Sequence, residues 1–448
     1  MRKTVVHPSP LLLSIFSTVL LSACGDGGTQ RSATIDHTPR PAIAAATVVS
    51  EPVTLQPTVA PAASKPVKPL PPPVAVSPVP GGVPPVVVLA PPPAKPIVVA
   101  PVAPVPPVPV APAPPVTLEK PPTFTFITDV TLESTRSTEQ VRVPVTFGQV
   151  FAPGQVDAAH TISAKLRDGS TVALQVDAKA RHADGSLRHA ILSATLPRLG
   201  AGLSQKLYLT QTSATATAPA ATPAALLDAG FSASVSIDLD GTTYSAAADK
   251  LLQSGRRQSW LAGPVANEWL VAAPLTTAQG AVHPHLVARF AVRAFGNKQA
   301  RVDVTLENSW AFEASPSNFT YDAKIHIGGK VAYTKADLTH YHHARWRKVF
   351  WWGATPEVHV KHNTGYLIAS KAVPNYDQSL VFAESTLEAM KTAWTGAKTE
   401  PMGVGEANPY MPATGGRKDI GLLPGWAATY LLSMDKRAKD VMLGTADL

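Results

Sequence analysis

Sulfur chemistry is nearly missing from this sequence: among 448 residues there is one cysteine, Cys24. That rules out an intrachain disulfide and a cysteine-ligated zinc cluster, so the fold has to hold by its own core. No His-Glu-x-x-His spacing occurs, which removes the usual helical signature of a zinc hydrolase. Charge is sparse too. Asp, Glu, Lys and Arg make up 16 %, and the formal net charge of +8 comes from scattered Lys and Arg rather than a basic block. Such a balance suits an acidic surface or polysaccharide and carries no footprint of a nucleic-acid-binding domain.

The N-terminus begins "MRKTVVHPSPLLLSIFSTVLLSACGDGG". Arg2 and Lys3 precede an apolar run from Leu11 to Leu21 that is too short for a stable membrane span, as in a secretory signal peptide. Leu21-Ser22-Ala23-Cys24 resembles the lipobox of bacterial lipoproteins. The resemblance implies cleavage before Cys24, acylation of its thiol and anchoring to a lipid membrane. In that family Gly25, rather than an aspartate, favours the outer membrane. An acylated Cys24 leaves no thiol for catalysis.

Between about Pro39 and Pro122 the chain is nearly all Pro, Val and Ala, as in "PVAPVPPVPVAPAPP". Proline fixes φ and removes backbone donors, so residues 24–122 are expected to form no sheet or helix and to act as a disordered, polyproline-II-like tether. At ~3.1 Å per residue, roughly eighty residues reach ~250 Å when fully extended.

After Pro122 the pattern turns to alternation. "VRVPVTF" places Val141, Val143, Val145 and Phe147 on one strand face. Three Asp-Gly pairs, Asp168-Gly169, Asp184-Gly185 and Asp240-Gly241, each separate two alternating runs. Asp-Gly is a strong hairpin signal because both residues tolerate positive φ. A mainly β body follows, with "ATATAPAATPAA" (Ala214 to Ala225) as a linker between two β domains. Farther on, Val381 to Gly396 reads as an amphipathic helix stopped at Gly396, and Leu422 to Gly444 as a second one stopped at Gly444.

"ARHADGSLRHAILSATLP" (Ala180 to Pro197), preceded by "VPVTFGQVFAPGQV", resembles the N-terminal RIFT-like β-barrel of the exo-rhamnogalacturonan lyase group and its relatives. The matching residues are Pro144 and Gly148, then Asp184-Gly185-Ser186-Leu187-Arg188 with Ala190. After the signal peptide (1–23) and tether (24–122), the expected order is a RIFT-like barrel (123–213), as the resemblance implies, then a β-sandwich-like domain (226–375) and a helical segment (376–448). "ATGGRKDIGLLPGWAATYLLS" looks like the opening of an (α/α) toroid, of which most helices are then expected to be missing. Relatives of this layout act on polysaccharides. Arg181, His182, Arg188 and His189 flank the Asp184-Gly185 turn and are read as ordinary turn residues.

Candidate site residues gather in "HYHHARWRKVFWWG" (His340 to Gly353). Read as a strand, Trp346, Lys348, Phe350 and Trp352 share a core face, while Arg345, Arg347, Val349 and Trp351 share the other. Two guanidiniums beside an indole suit an acidic sugar; a core strand with solvated Arg and His at its rim accounts for the residues equally well. His340 and His342 on one face with His343 opposed are the metal alternative, without a nearby carboxylate. His359 and Lys361 share a face of "EVHVKHN", and a Gly-rich loop carries Glu406, Asn408, Tyr410, Arg417 and Asp419. His, Lys, Tyr and Arg supply the base and cation of a lyase; Glu406 and Asp419 are the pair a glycosidase would need. The expectation is a lipid-anchored envelope protein, without metal or other cofactor, that binds an acidic polysaccharide and as this chain does not degrade it. The rival reading is a non-enzymatic envelope protein whose β domains make protein contacts.

Overall fold

A computed structural model describes residues 121–213, 221–310, 312, 315–408 and 417–448. The signal peptide, Cys24 and the Pro-rich tether up to residue 120 lie outside the described residues, as do residues 214–220 and Tyr410.

The chain is mainly β, as expected. Among the described residues six strands come first: β1 (Thr128–Ser134), β2 (Gln140–Val150), β3 (Thr161–Lys165), β4 (Thr171–Arg181), β5 (Leu187–Leu199) and β6 (Ser204–Thr212). Nine follow: β7 (Ala233–Leu239), β8 (Thr242–Ala247), β9 (Gln258–Leu261), β10 (Asn267–Thr276), β11 (Val282–Ala294), β12 (Ala300–Asn308), β13 (Phe319–Ile327), β14 (Lys330–His340) and β15 (Ala344–Trp352). The last strand is β16 (Val358–His362).

The first sheet runs β16-β1-β6-β3-β4-β5-β2, antiparallel throughout and curled into a nearly closed barrel. Val130, Leu132, Phe147, Leu192 and Leu207 fill it. The alternation expected from Val141 begins instead at Val143. Val141 is 64 % exposed, because Arg142 sits at φ 51° and breaks the extended backbone between them. Although β16 falls within the stretch 226–375 expected to form the second domain, it pairs with β1, Val130 opposite His362.

The second sheet runs β14-β13-β7-β8-β10-β11-β12-β15, with β9 on β10. It is one continuous sheet rolled almost onto itself. Its core holds Phe290, Val304, Ile325 and Trp346. All three Asp-Gly pairs close hairpins, β3–β4, β4–β5 and β7–β8. Only Asp240-Gly241 has positive φ at both residues, 52° and 75°. In the other two the aspartate accepts from the serine two residues on, Asp184 Oδ1 from the Ser186 N–H at 2.9 Å, and the glycine alone takes the left-handed angle.

Among the described residues six α-helices accompany the strands: α1 (Pro223–Asp228), α2 (Ala248–Gln253), α3 (Thr364–Ala369), α4 (Glu384–Ala393), α5 (Gly425–Ser433) and α6 (Lys436–Asp447). Helix α1 starts inside the stretch read as linker, because Thr222 Oγ1 caps the Ala225 N–H and Pro223 opens the first turn. The helix expected from Leu422 to Gly444 is two. Met434 turns left-handed at φ 50° and Asp435 caps the Arg437 N–H of the next helix. Gly444 lies inside α6 and stops nothing. A Cβ there would meet Trp394 Cζ2 at 2.5 Å, so its glycine serves close packing. The apolar stripes are covered: Leu367, Tyr430, Met434 and Ala438 form a small core with Val150 of β2 and Met390 of α4, and α6 lies against β15.

Candidate functional site

The strand reading of "ARWRKVFWW" places the side chains of β15 as alternation requires. Trp346 is fully buried, with Phe350 and Trp352 packed on the same core. Arg345, Arg347 and Trp351 share the opposite face of this strand. There the neighbouring strands add Arg301 and Asp303 from β12, Arg289 and Arg293 from β11 and Glu268 from β10. Most of these guanidiniums are already matched. Arg293 pairs with Glu268 (2.6 Å), Arg301 with Asp303 (2.9 Å) and Arg289 with Glu307 (2.5 Å). Arg347 reaches Asp303 (3.0 Å) and, from α6, Asp447 (2.6 Å). The protein's own carboxylates thus occupy the donors that a uronate would need, and Arg347 is a structural residue. Trp351 lies over Phe295, ring centroids 5.8 Å apart and 22° from parallel.

The other predicted residues are also committed to the fold. His359 is buried. Its Nε2–H donates to the Met434 carbonyl (2.7 Å), burial holds its pKa below the ordinary value, and Lys439 approaches Nδ1 at 3.4 Å. Lys361 is ion-paired with Glu133. Asn408, Arg417 and Asp419 close on one another: Arg417 forks onto Asp419 (2.9 and 2.5 Å) and donates to the Asn408 carbonyl (2.7 Å). These bonds hold the Asp419 carboxyl down at about 2. For Glu406, burial acts to raise the pKa, yet its bonds to Lys398 and Lys418 bring it below the ordinary range. A glycosidase acid needs the reverse, a carboxyl raised toward neutrality, and neither Glu406 nor Asp419 has surroundings that on balance raise it. The residues named from sequence are therefore spread over β15, β16 and the 406–419 loop rather than brought into one cleft.

The histidines of the cluster separate as well. His340 is buried, its Nε2–H donating to the Ala344 carbonyl (3.0 Å) and its Nδ1 accepting from the Tyr321 hydroxyl (2.8 Å). His342 and His343 are exposed, rings 5.0 Å apart. Among the described residues no group of three or more His, Cys, Asp or Glu side chains is arranged to hold a metal ion.

What the structure does build is a small open depression at one end of β11, β12, β14 and β15, lined by His285, Asn308, Trp310, Pro316, His342 and His343. Asn318 Oδ1 fixes His342 by accepting from its backbone N–H (2.9 Å) and Nδ1–H (2.8 Å). Beneath, buried His283 accepts the His285 and Leu286 N–H groups and packs edge-on to Phe319. Trp310 in this lining is 59 % exposed, and Phe312, edge-on to it with ring centroids 6.1 Å apart, is 87 % exposed. Large aromatics left this open beside imidazole and amide groups offer apolar faces with polar edges, the pattern on which a sugar ring stacks. Sequence reading passed over Trp310, Phe312, His285, Asn308 and Pro316. The signal was present in "NSWAFEASPSN", two aromatics in a turn-forming Ser, Pro and Asn context. No protein-family model matches the chain, and no curated protein matches it.

Proposed function

We propose that this is a cell-envelope protein that binds an acidic polysaccharide at the exposed end of its second β domain. The observation that carries the reading is the histidine-lined depression with exposed Trp310 in its lining and Phe312 beside it. The envelope location rests on the lipobox-like residues ending at Cys24, and the resemblance of the first β domain to the exo-rhamnogalacturonan lyase group points the same way. Binding is favoured over hydrolysis because Glu406 and Asp419, the predicted acid pair, are both kept ionised by neighbouring cations.

Affinity gel electrophoresis of the purified chain through acidic polysaccharides tests this. Retention is expected, and Trp310→Ala should weaken it by up to about tenfold with folding unchanged, as the loss of one aromatic stacking contact implies. No retention by any acidic glycan, together with capture of a protein partner, would replace this reading with the protein-contact one.

A further inference from the structure

One guanidinium near the depression stands apart from the others. The β12–β15 register sets Glu307 directly across from Arg345. Cross-strand neighbours of opposite charge ordinarily pair. Glu307 instead turns to the other side and binds Arg289 Nε at 2.5 Å. Arg289 and Arg345 thus flank one carboxylate that serves only the first, and Arg345 is left exposed with no ion-pair or hydrogen-bond partner for its side chain among the described residues. Its counterparts Arg293, Arg301 and Arg347 all have carboxylates.

The position of Arg345 gives this excess charge a use. It stands two residues after His343, whose backbone N–H donates to the Asn308 carbonyl at 2.6 Å, and Asn308 and His343 both line the depression. Arg345 and the aromatic rim therefore lie at the same end of the same strand pair. A planar guanidinium with both edges open matches a carboxylate or sulfate with two parallel hydrogen bonds.

We infer that Arg345 is the specificity-determining residue of the site, binding one anionic group of a saccharide whose ring stacks on Trp310 at the mouth of the depression. The inference rests on the proposed glycan site and adds the origin of its preference for acidic ligands. The rim supplies affinity for the ring without regard to charge. Arg345 supplies the discrimination, and Glu307, held by Arg289, neither neutralises Arg345 nor repels the ligand as a free carboxylate would.

A hexuronate oligosaccharide and its carboxyl-reduced, neutral counterpart test this on the full chain, because they share a backbone and differ in charge. Wild type should prefer the hexuronate by about tenfold, the scale of a charged hydrogen-bonded contact. Arg345→Gln should bring the ratio to about one while leaving affinity for the neutral oligosaccharide unchanged. Arg345→Lys should keep part of the preference, and that part should fall with added salt. Trp310→Ala should weaken both ligands alike. An unaltered ratio in Arg345→Gln overturns the role of Arg345 and leaves the glycan site standing. Failure of wild type to bind either oligosaccharide removes the site and the inference together.

Discussion

Gln175 and Ala266 exchange two hydrogen bonds: the Gln175 Nε2–H donates to the Ala266 carbonyl at 2.8 Å, and the Ala266 N–H returns one to Gln175 Oε1 at 2.9 Å. A side-chain amide thereby imitates a strand partner and joins β4 of the first sheet to the loop before β10 of the second. Gln175 Oε1 also accepts the Val265 N–H (2.9 Å), and Asp177 Oδ2 holds the amide from the other side (2.6 Å). Gly263 makes room for it; a Cβ there would stand 2.5 Å from Gln175 Cδ.

Gln175→Leu should destabilise the protein by about 2–4 kcal/mol, because buried backbone donors at Val265 and Ala266 lose their acceptor. Calorimetry should then resolve two transitions where wild type shows one. A single transition with an unchanged midpoint would mean that the amide does not couple the sheets.

A second chain of bonds runs through the core of the second domain. Trp346 Nε1–H donates to the Tyr321 hydroxyl (3.0 Å), which donates to His340 Nδ1, and His340 Nε2–H ends on the Ala344 carbonyl. The direction follows from its ends, since an indole N–H can only donate and a carbonyl only accept. Trp346→Ala should cost ~3–5 kcal/mol in urea unfolding. Tyr321→Phe should cost about 2 kcal/mol by orphaning two buried groups. Trp351→Ala, a half-buried ring stacked on Phe295, should cost less than either.

Stability should fall with acid. Burial lowers the His340 pKa to about 4, and burial with the nearby Lys439 and His359 does the same for His362. An unfolded histidine titrates near ~6.5, so between that value and about 4 the unfolded chain binds more protons and the folded state loses ground as pH falls. The stabilisation is fully present above about pH 6.5. His362→Leu should flatten the slope of unfolding free energy against pH over this window by up to one proton. An unchanged slope would show that His362 takes up its proton equally in the folded and unfolded chain, against the burial argument.

How much of this was legible in the sequence depended on the range of the interactions. The Asp-Gly hairpins and the two faces of β15 are local, and alternation disclosed them. The break between α5 and α6 was hidden because Met434, a good helix former, takes a left-handed angle only where its carbonyl meets His359 of β16. Likewise nothing near Arg347 announces that Asp447, a hundred positions on, will occupy it. The Trp310 rim was passed over for the opposite reason, since the strand pattern running into it masked its loop.

Arg347→Gln separates these roles. It leaves Asp303 and Asp447 with fewer partners, and Asp447, whose pKa burial already raises against the pull of Arg347, should rise further. Hydrogen exchange in α6 should quicken, whereas retention on an acidic glycan gel should be unaffected. Loss of glycan retention with unchanged exchange would restore Arg347 as a ligand-binding residue.

Anchoring is tested at the other end of the chain. Cys24→Ser should move the protein from the membrane fraction to the soluble periplasmic fraction and abolish incorporation of labelled fatty acid. Continued membrane retention would count against the lipobox reading.

The pairing of β16 with β1 makes the second barrel an insertion within the first. Val130 must wait for His362 before its strand is complete, and everything from β7 to β15 is synthesised in between. A ribosome that has released residues 121–213 has produced a sheet with a bare edge at β1, open to pairing with another chain until β16 arrives. Closure across so long a loop is slow, which adds a risk of aggregation during synthesis. A fragment ending at residue 213 inherits the same bare edge permanently. Expressing the first domain alone therefore calls for the segment around Val358–His362 to be supplied as well, as a fused strand or as an added peptide.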